Sequence, residues 1–160
     1  MDINDLALAR VLHIIGVVLW IGGVAMVTTV LLPSIRKLKN PEERVIFFET
    51  IEKSFAIQAK LTTVLTGATG FYMLYALNAW GRYLILQYWW IHAMTAVWLV
   101  FTIMLFILEP LFLHNWFIKK AKLEPEKTFS IVFGLHIFLL SISLITIFGS
   151  AAGAHGWFFF

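Results

Sequence analysis

The sequence predicts an all-α integral membrane protein, a four-helix up-down bundle with both chain termini outside. Three observations carry this prediction. Hydrophobic residues make up 61% of the 160 and charged residues 13%, with a mean hydropathy of +0.87, whereas a soluble domain is about a quarter charged. Four apolar stretches reach the roughly 20 residues that a helix needs to cross a bilayer. Ten of the twelve Lys and Arg residues fall on one side of those stretches.

The first stretch is 6–32, ended by Pro33. It is far longer than a signal-peptide core and has no small-residue cleavage site, so it reads as a retained helix. The second is 58–80, with an approach from about Phe55. The third is 83–108, followed by Glu109 and Pro110, where a proline without an amide hydrogen predicts a kink or an exit. The fourth is 129–154. Nothing is left over for a soluble domain, so residues 1–160 form a single transmembrane unit.

Charge sets the direction. Arg36, Lys37, Lys39, Arg44, Lys53 and Lys60 lie between or at the edges of spans one and two, and Lys119, Lys120, Lys122 and Lys127 between spans three and four. Only Arg10 and Arg82 lie on the other side. The positive-inside rule then turns both basic connections inward, which fits a multi-pass protein of a bacterial inner (cytoplasmic) membrane. The net charge of +3 follows from this topology and implies no nucleic-acid partner. The segment from Pro41 to Gln58 mixes acids, bases and apolar residues at roughly helical spacing. It lies on the inner surface or extends span two inward. With no cysteine, disulfides and thiolate-bound metals or clusters are excluded.

Ionisable groups inside an apolar span are costly and mark function. In span one, Arg10, His13, Gly16, Trp20 and Gly23 recur at three- and four-residue spacing and share one helical stripe. One reading is helix packing, the glycines admitting a neighbour and His13 hydrogen-bonding across the interface. The other is a cofactor face. Imidazole is an axial ligand for haem iron, Gly16 clears room for the porphyrin, and Arg10 pairs with a propionate. A second ligand is then needed at matching depth across the bundle. His92 meets that demand, at about 13 Å depth against about 10 Å for His13 by helical rise, with Arg82 as a further propionate partner. His136 enters from the inner side, and with Lys60 it defines a lower second site for another haem, a polar contact or a quinone. His155 lies in the outer tail. The set His13, His92 and His155 also suits copper opening outward.

The first span, LHIIGVVLWIGG with the following VLLPSIRKL, resembles the copper-resistance protein D family. It is also similar to the bacterial membrane protoporphyrinogen oxidase family, whose opening reads much like HIIGVVLW. The likeness covers about residues 9 to 36 best, and extends to IEKSFAIQAKLTTVLTGATG and WWIHAM. It implies a four-helix membrane protein that binds b-type haem through histidine, His13 matching the first-helix histidine and His92 the one at the start of the third span. The functional expectation is haem b redox chemistry or electron transfer near the outer face, linked to quinol and an outer redox partner. A membrane oxidoreductase is one form of it. The alternatives are copper handling and a cofactor-free anchor subunit of a respiratory complex. Abundant exposed Phe is compatible with a homodimer.

Overall fold

The computed structural model describes residues 3–157, and every regular element among them is helical. Helix α1 (Ile3–Met26) passes through one wide π turn (Val27–Leu31) into the short α2 (Leu32–Ile35). Pro33 therefore does not end the span. Proline offers no amide hydrogen to the preceding turn and crowds its carbonyl, and the backbone answers by widening its register to i→i+5 just ahead of it. Thr28 and Thr29 donate to the Val24 and Ala25 carbonyls through this stretch, at 2.7 and 2.8 Å.

Helix α3 (Pro41–Ala76) runs for 36 residues without a break, so Pro41–Gln58 belongs to the same helix as the stretch read as span two. Its start is specified locally. The Asn40 side chain accepts from the Glu42 amide at 2.9 Å, Pro41 occupies the first turn, and Glu42 and Glu43 face the positive end of the helix dipole. The helix stops at Ala76 rather than at residue 80. Asn78 adopts a left-handed φ of 48°, and two short 3-10 turns (Trp80–Leu84 and Leu86–Tyr88) lead to α4 (Trp89–Ile103).

The third span also outruns its expected end. After α4 the chain forms a π-helix over Met104–Leu113, containing Glu109 and Pro110, and continues as α5 (His114–Leu123). Helix α6 (Pro125–Ala154) follows after Glu124. Hydrogen bonding to Lys127, with the charges of Lys127 and Lys120, holds the Glu124 carboxyl below the usual carboxylate range.

Three helical stretches are long and apolar enough to cross a membrane: Ile3–Ile35, Leu86–Leu123 and Pro125–Ala154. Helix α3 falls short of them because it carries Lys60 and a run of threonines. Thr62, Thr63, Thr66 and Thr69 are buried, and two of them return their hydroxyls to their own helix, Thr62 to Gln58 and Thr69 to Leu65. The polar face of α3 is turned into the protein, where α1 and α4 cover it.

Helices α1 and α3 pack antiparallel along most of the length of α1. Helices α4 and α6 form the other main pair, with Trp89 and Trp90 set against Gly149 and Gly153. Trp90 is buried there, so it belongs to helix packing rather than to an interfacial aromatic belt. Two cores hold the pairs together. One is central, with Trp20, Ile21 and Val24 meeting Phe101 and Leu139. The other lies at the basic end, where Leu32, Ile35, Phe48, Phe117 and Phe129 converge. Buried Arg44 ties that end together, donating to Glu126 and to the Leu38 carbonyl. Both basic connections thus meet at the same end of the molecule.

Candidate functional site

Of the stripe read from span one, His13, Gly16 and Gly23 lie against α3, while Trp20 meets Phe101 and Leu139. His13 Nδ1 lies 3.0 Å from the Thr66 carbonyl and 3.1 Å from Thr69 Oγ1. A carbonyl only accepts, so in the neutral ring Nδ1 carries the hydrogen and Nε2 keeps its lone pair. A Cβ placed on Gly16 would stand 2.5 Å from Thr66 Oγ1. The missing side chain at Gly16 therefore admits α3, not a porphyrin. Arg10 is exposed at the far end of the stripe.

His92 is turned the other way. It is exposed, and its Nε2 donates to the Tyr83 carbonyl at 3.0 Å, with the Tyr83 ring edge-on at 5.2 Å. Arg82 is exposed and lies over the Tyr88 ring at 5.2 Å. Trp90, Ile91 and Phe101 are the buried residues of the helix that carries His92. About 10 Å further along α1 by helical rise, Trp20 meets Phe101 of α4 edge to face, with centroids 4.9 Å apart. In this arrangement His13 and His92 do not face one another across a planar gap, and the pair does not fit a haem held between them. His155 is exposed and bonded to its own helix at Ala151. Among the described residues, no three His, Asp or Glu side chains converge as a metal site.

The lower site takes a different form. Between the central core and the basic-end core lies a cavity of about 560 Å³, within the range of small-molecule sites. Its walls are aliphatic and aromatic, with four ionisable side chains among them: Glu52 on α3, Glu109 on the π-helix, His114 opening α5, and His136 on α6. Lys60 is committed to Glu109, at 3.2 Å, so it is not free to act as a ligand to iron. His136 has its Nδ1 2.9 Å from the Val132 carbonyl, which again leaves the Nε2 lone pair available in the neutral ring.

Sequence periodicity could not have assembled this group, because Glu109 and His114 are five residues apart. In an α-helix that spacing separates two side chains, whereas in a π-helix residue five closes the turn. The His114 amide indeed bonds back to the Glu109 carbonyl. The proline at 110 was the visible signal, since proline within a helix forces a local change of register.

The cavity opens sideways. Phe112 and Trp116 on one edge and Ile131 and Leu135 on the other line it, and all four are also exposed on the flank of the protein. Trp20 closes the opposite end. Its side chain is 3% exposed, and its indole N–H has no acceptor among the described residues.

Glu52 sits in the N-terminal part of α3, ahead of the stretch read as span two, and burial pushes its carboxyl above the ordinary value of 4.5. Glu109 and Glu49 push the same way, and His114 and Lys60 oppose them. Folding thus tightens the hold of Glu52 on its proton. The resulting loss of stability is absent below the ordinary carboxylate range and complete above the raised value. Glu52→Gln is therefore expected to raise the unfolding temperature in detergent at neutral pH and to leave it unchanged near about pH 4. A thermal melt at both pH values checks this.

Compared with known protein families, curated proteins and solved structures, the chain gives no match to any of the three.

Proposed function

We propose that the protein is a multi-pass protein of the bacterial inner membrane that binds a quinone-class ligand in the cavity between α3, the π-helix with α5, and α6, as part of quinol-linked redox chemistry. By the positive-inside rule the basic end faces the cytoplasm and both termini lie outside. The observation that carries this reading is the lateral opening of an apolar cavity whose interior gathers proton-exchanging groups. A mouth framed by exposed aromatic and aliphatic side chains admits a molecule dissolved in the bilayer. An anionic head group is disfavoured, because Lys60 is already paired with Glu109, and among the described residues the partly buried Glu52 carboxyl adds a proton-holding acid without an ion pair. A neutral ring with polar oxygens and an apolar tail suits both features.

Solvent extraction of the purified protein is expected to release quinone in near-stoichiometric amount, read by chromatography and ultraviolet absorption. Leu135→Trp, which narrows the mouth at an exposed position, is expected to lower that amount several-fold without loss of fold. Protein that carries no quinone, and takes up none when it is supplied, would sink the reading. The same preparation tests haem b by its reduced-minus-oxidised spectrum. A Soret band abolished by His13→Ala would put haem-linked electron transfer in its place, bound copper would favour metal handling, and stoichiometric protein partners would favour an anchor subunit.

A further inference from the structure

The cavity carries more acid than base. Glu52 and Glu109 supply carboxyl groups to its wall and His114 and His136 supply imidazoles, but no lysine or arginine is among the described residues that line it. Lys60 is spent on Glu109, at 3.2 Å. It follows Glu52 by eight residues on α3, about 12 Å by helical rise. Among the described residues the Glu52 carboxyl has neither an ion pair nor a hydrogen bond.

Glu52 is nonetheless within electrostatic reach of its neighbours. The charges of Glu109 on the π-helix and Glu49 on α3 favour its proton, and those of His114 on α5 and Lys60 on α3 oppose it. From α6 the cavity receives His136, and from α1 and α4 only the uncharged Trp20, Val24 and Phe101. When both acids are ionised, two negative charges face one lysine. Glu52 is partly exposed, so water solvates part of that surplus. A neutral, largely apolar ligand replaces such water and brings no charge. A carboxylate desolvated without a partner takes up a proton instead.

Resting on the quinone reading, we infer that binding of the quinone-class ligand is coupled to uptake of one proton by Glu52. The proton comes from solvent, an O–H bond forms on the carboxylate, and no electron moves. Lys60 then balances Glu109, and Glu52 adds no charge beside the ligand. Release of the ligand returns the proton. The coupling has a sign and a window. Burial already holds the Glu52 carboxyl above its ordinary value, and the ligand raises it further. Below the ligand-free value Glu52 keeps its proton with or without ligand, and affinity is independent of pH. Between the ligand-free and ligand-bound values, each added pH unit weakens binding about tenfold. Above the ligand-bound value the affinity levels off at its weaker limit.

The test is equilibrium binding of a short-chain oxidised quinone to the full-length protein in nonionic detergent, over a pH series from acid to alkaline. The oxidised ring has no titratable group, so any pH dependence belongs to the protein. Wild type is expected to lose about tenfold or more in affinity toward alkaline pH. In weakly buffered solution within the window, binding is expected to take up close to one proton per ligand. Glu52→Gln, a neutral amide of nearly the same shape, is expected to hold the acid-limit affinity of wild type at every pH and to take up no proton. His114→Gln and His136→Gln, whatever their absolute affinity, are expected to keep the fall, which separates the carboxyl from the imidazoles. Thermal melts confirm that each variant is folded, and the proton count on wild type needs no variant. If neither wild type nor Glu52→Gln binds at any pH, the quinone reading itself fails. If wild type binds equally at every pH, binds more tightly as pH rises, or shows a fall that persists in folded Glu52→Gln, the quinone reading stands and the coupling to Glu52 is wrong.

Discussion

Lys60→Met is expected to destabilise the protein by about 2–3 kcal/mol. Removing one member of an enclosed ion pair strands the other charge, at a cost of about 3–5 kcal/mol when both are fully buried. The Lys60 and Glu109 side chains are 33% and 24% exposed, which lowers the figure. Glu109 sits on a helix long and apolar enough to span a membrane, so little solvent can take over from Lys60. Pairing Lys60→Met with Glu109→Gln removes the stranded charge and is expected to recover most of the loss. Thermal unfolding of the two single variants and the double variant in one detergent measures the coupling directly. Equal losses for the single and the double would mean that the pair contributes packing rather than charge compensation.

Gly67→Val is the second large effect. A Cβ at Gly67 would stand 2.5 Å from Trp98 Nε1, and that indole donates to the Thr63 carbonyl at 2.9 Å. The substitution forces Trp98 away, so it combines overpacking, about 1–3 kcal/mol, with a broken hydrogen bond, about 1 kcal/mol. A loss of about 2–4 kcal/mol is expected. Gly134→Val provides the contrast, because nothing lies within 4 Å of a Cβ there, and its melting temperature should stay near that of wild type. Similar melting temperatures for both variants would mean that α3 and α4 do not approach as closely as the structure places them.

Much of the architecture could be read from hydropathy alone, since a long apolar run has few other folded outcomes. The stripe of His13, Gly16, Trp20 and Gly23 was equally legible, because one α-helix fixes its own periodicity. What that stripe faces was not. Gly16 serves a threonine of α3 just as well as it would serve a flat cofactor, and only the neighbouring helix decides between them. His92 illustrates the same limit. Its depth follows from counting residues, but its direction depends on how α4 is rotated, and Trp90 and Phe101 claim the inward face. The threonines of α3 lower its apparent hydropathy although they are buried. The cavity group was hidden for a different reason, because Glu109 and His114 share a face only after the backbone has left α-helical register.

For the proposed bilayer-dissolved ligand, the exposed cavity residues Phe112, Trp116, Ile131 and Leu135 change what concentration means. A ligand arriving through that opening is drawn from the lipid phase, so occupancy follows its mole fraction among the lipids rather than its amount per volume of water. Diluting the same quantity of ligand into more lipid or more detergent micelles lowers its mole fraction, and with it the occupancy, even when the total ligand per volume of sample is constant. An affinity for this site is therefore a property of protein and bilayer together, and two preparations agree only when their ratio of ligand to amphiphile agrees.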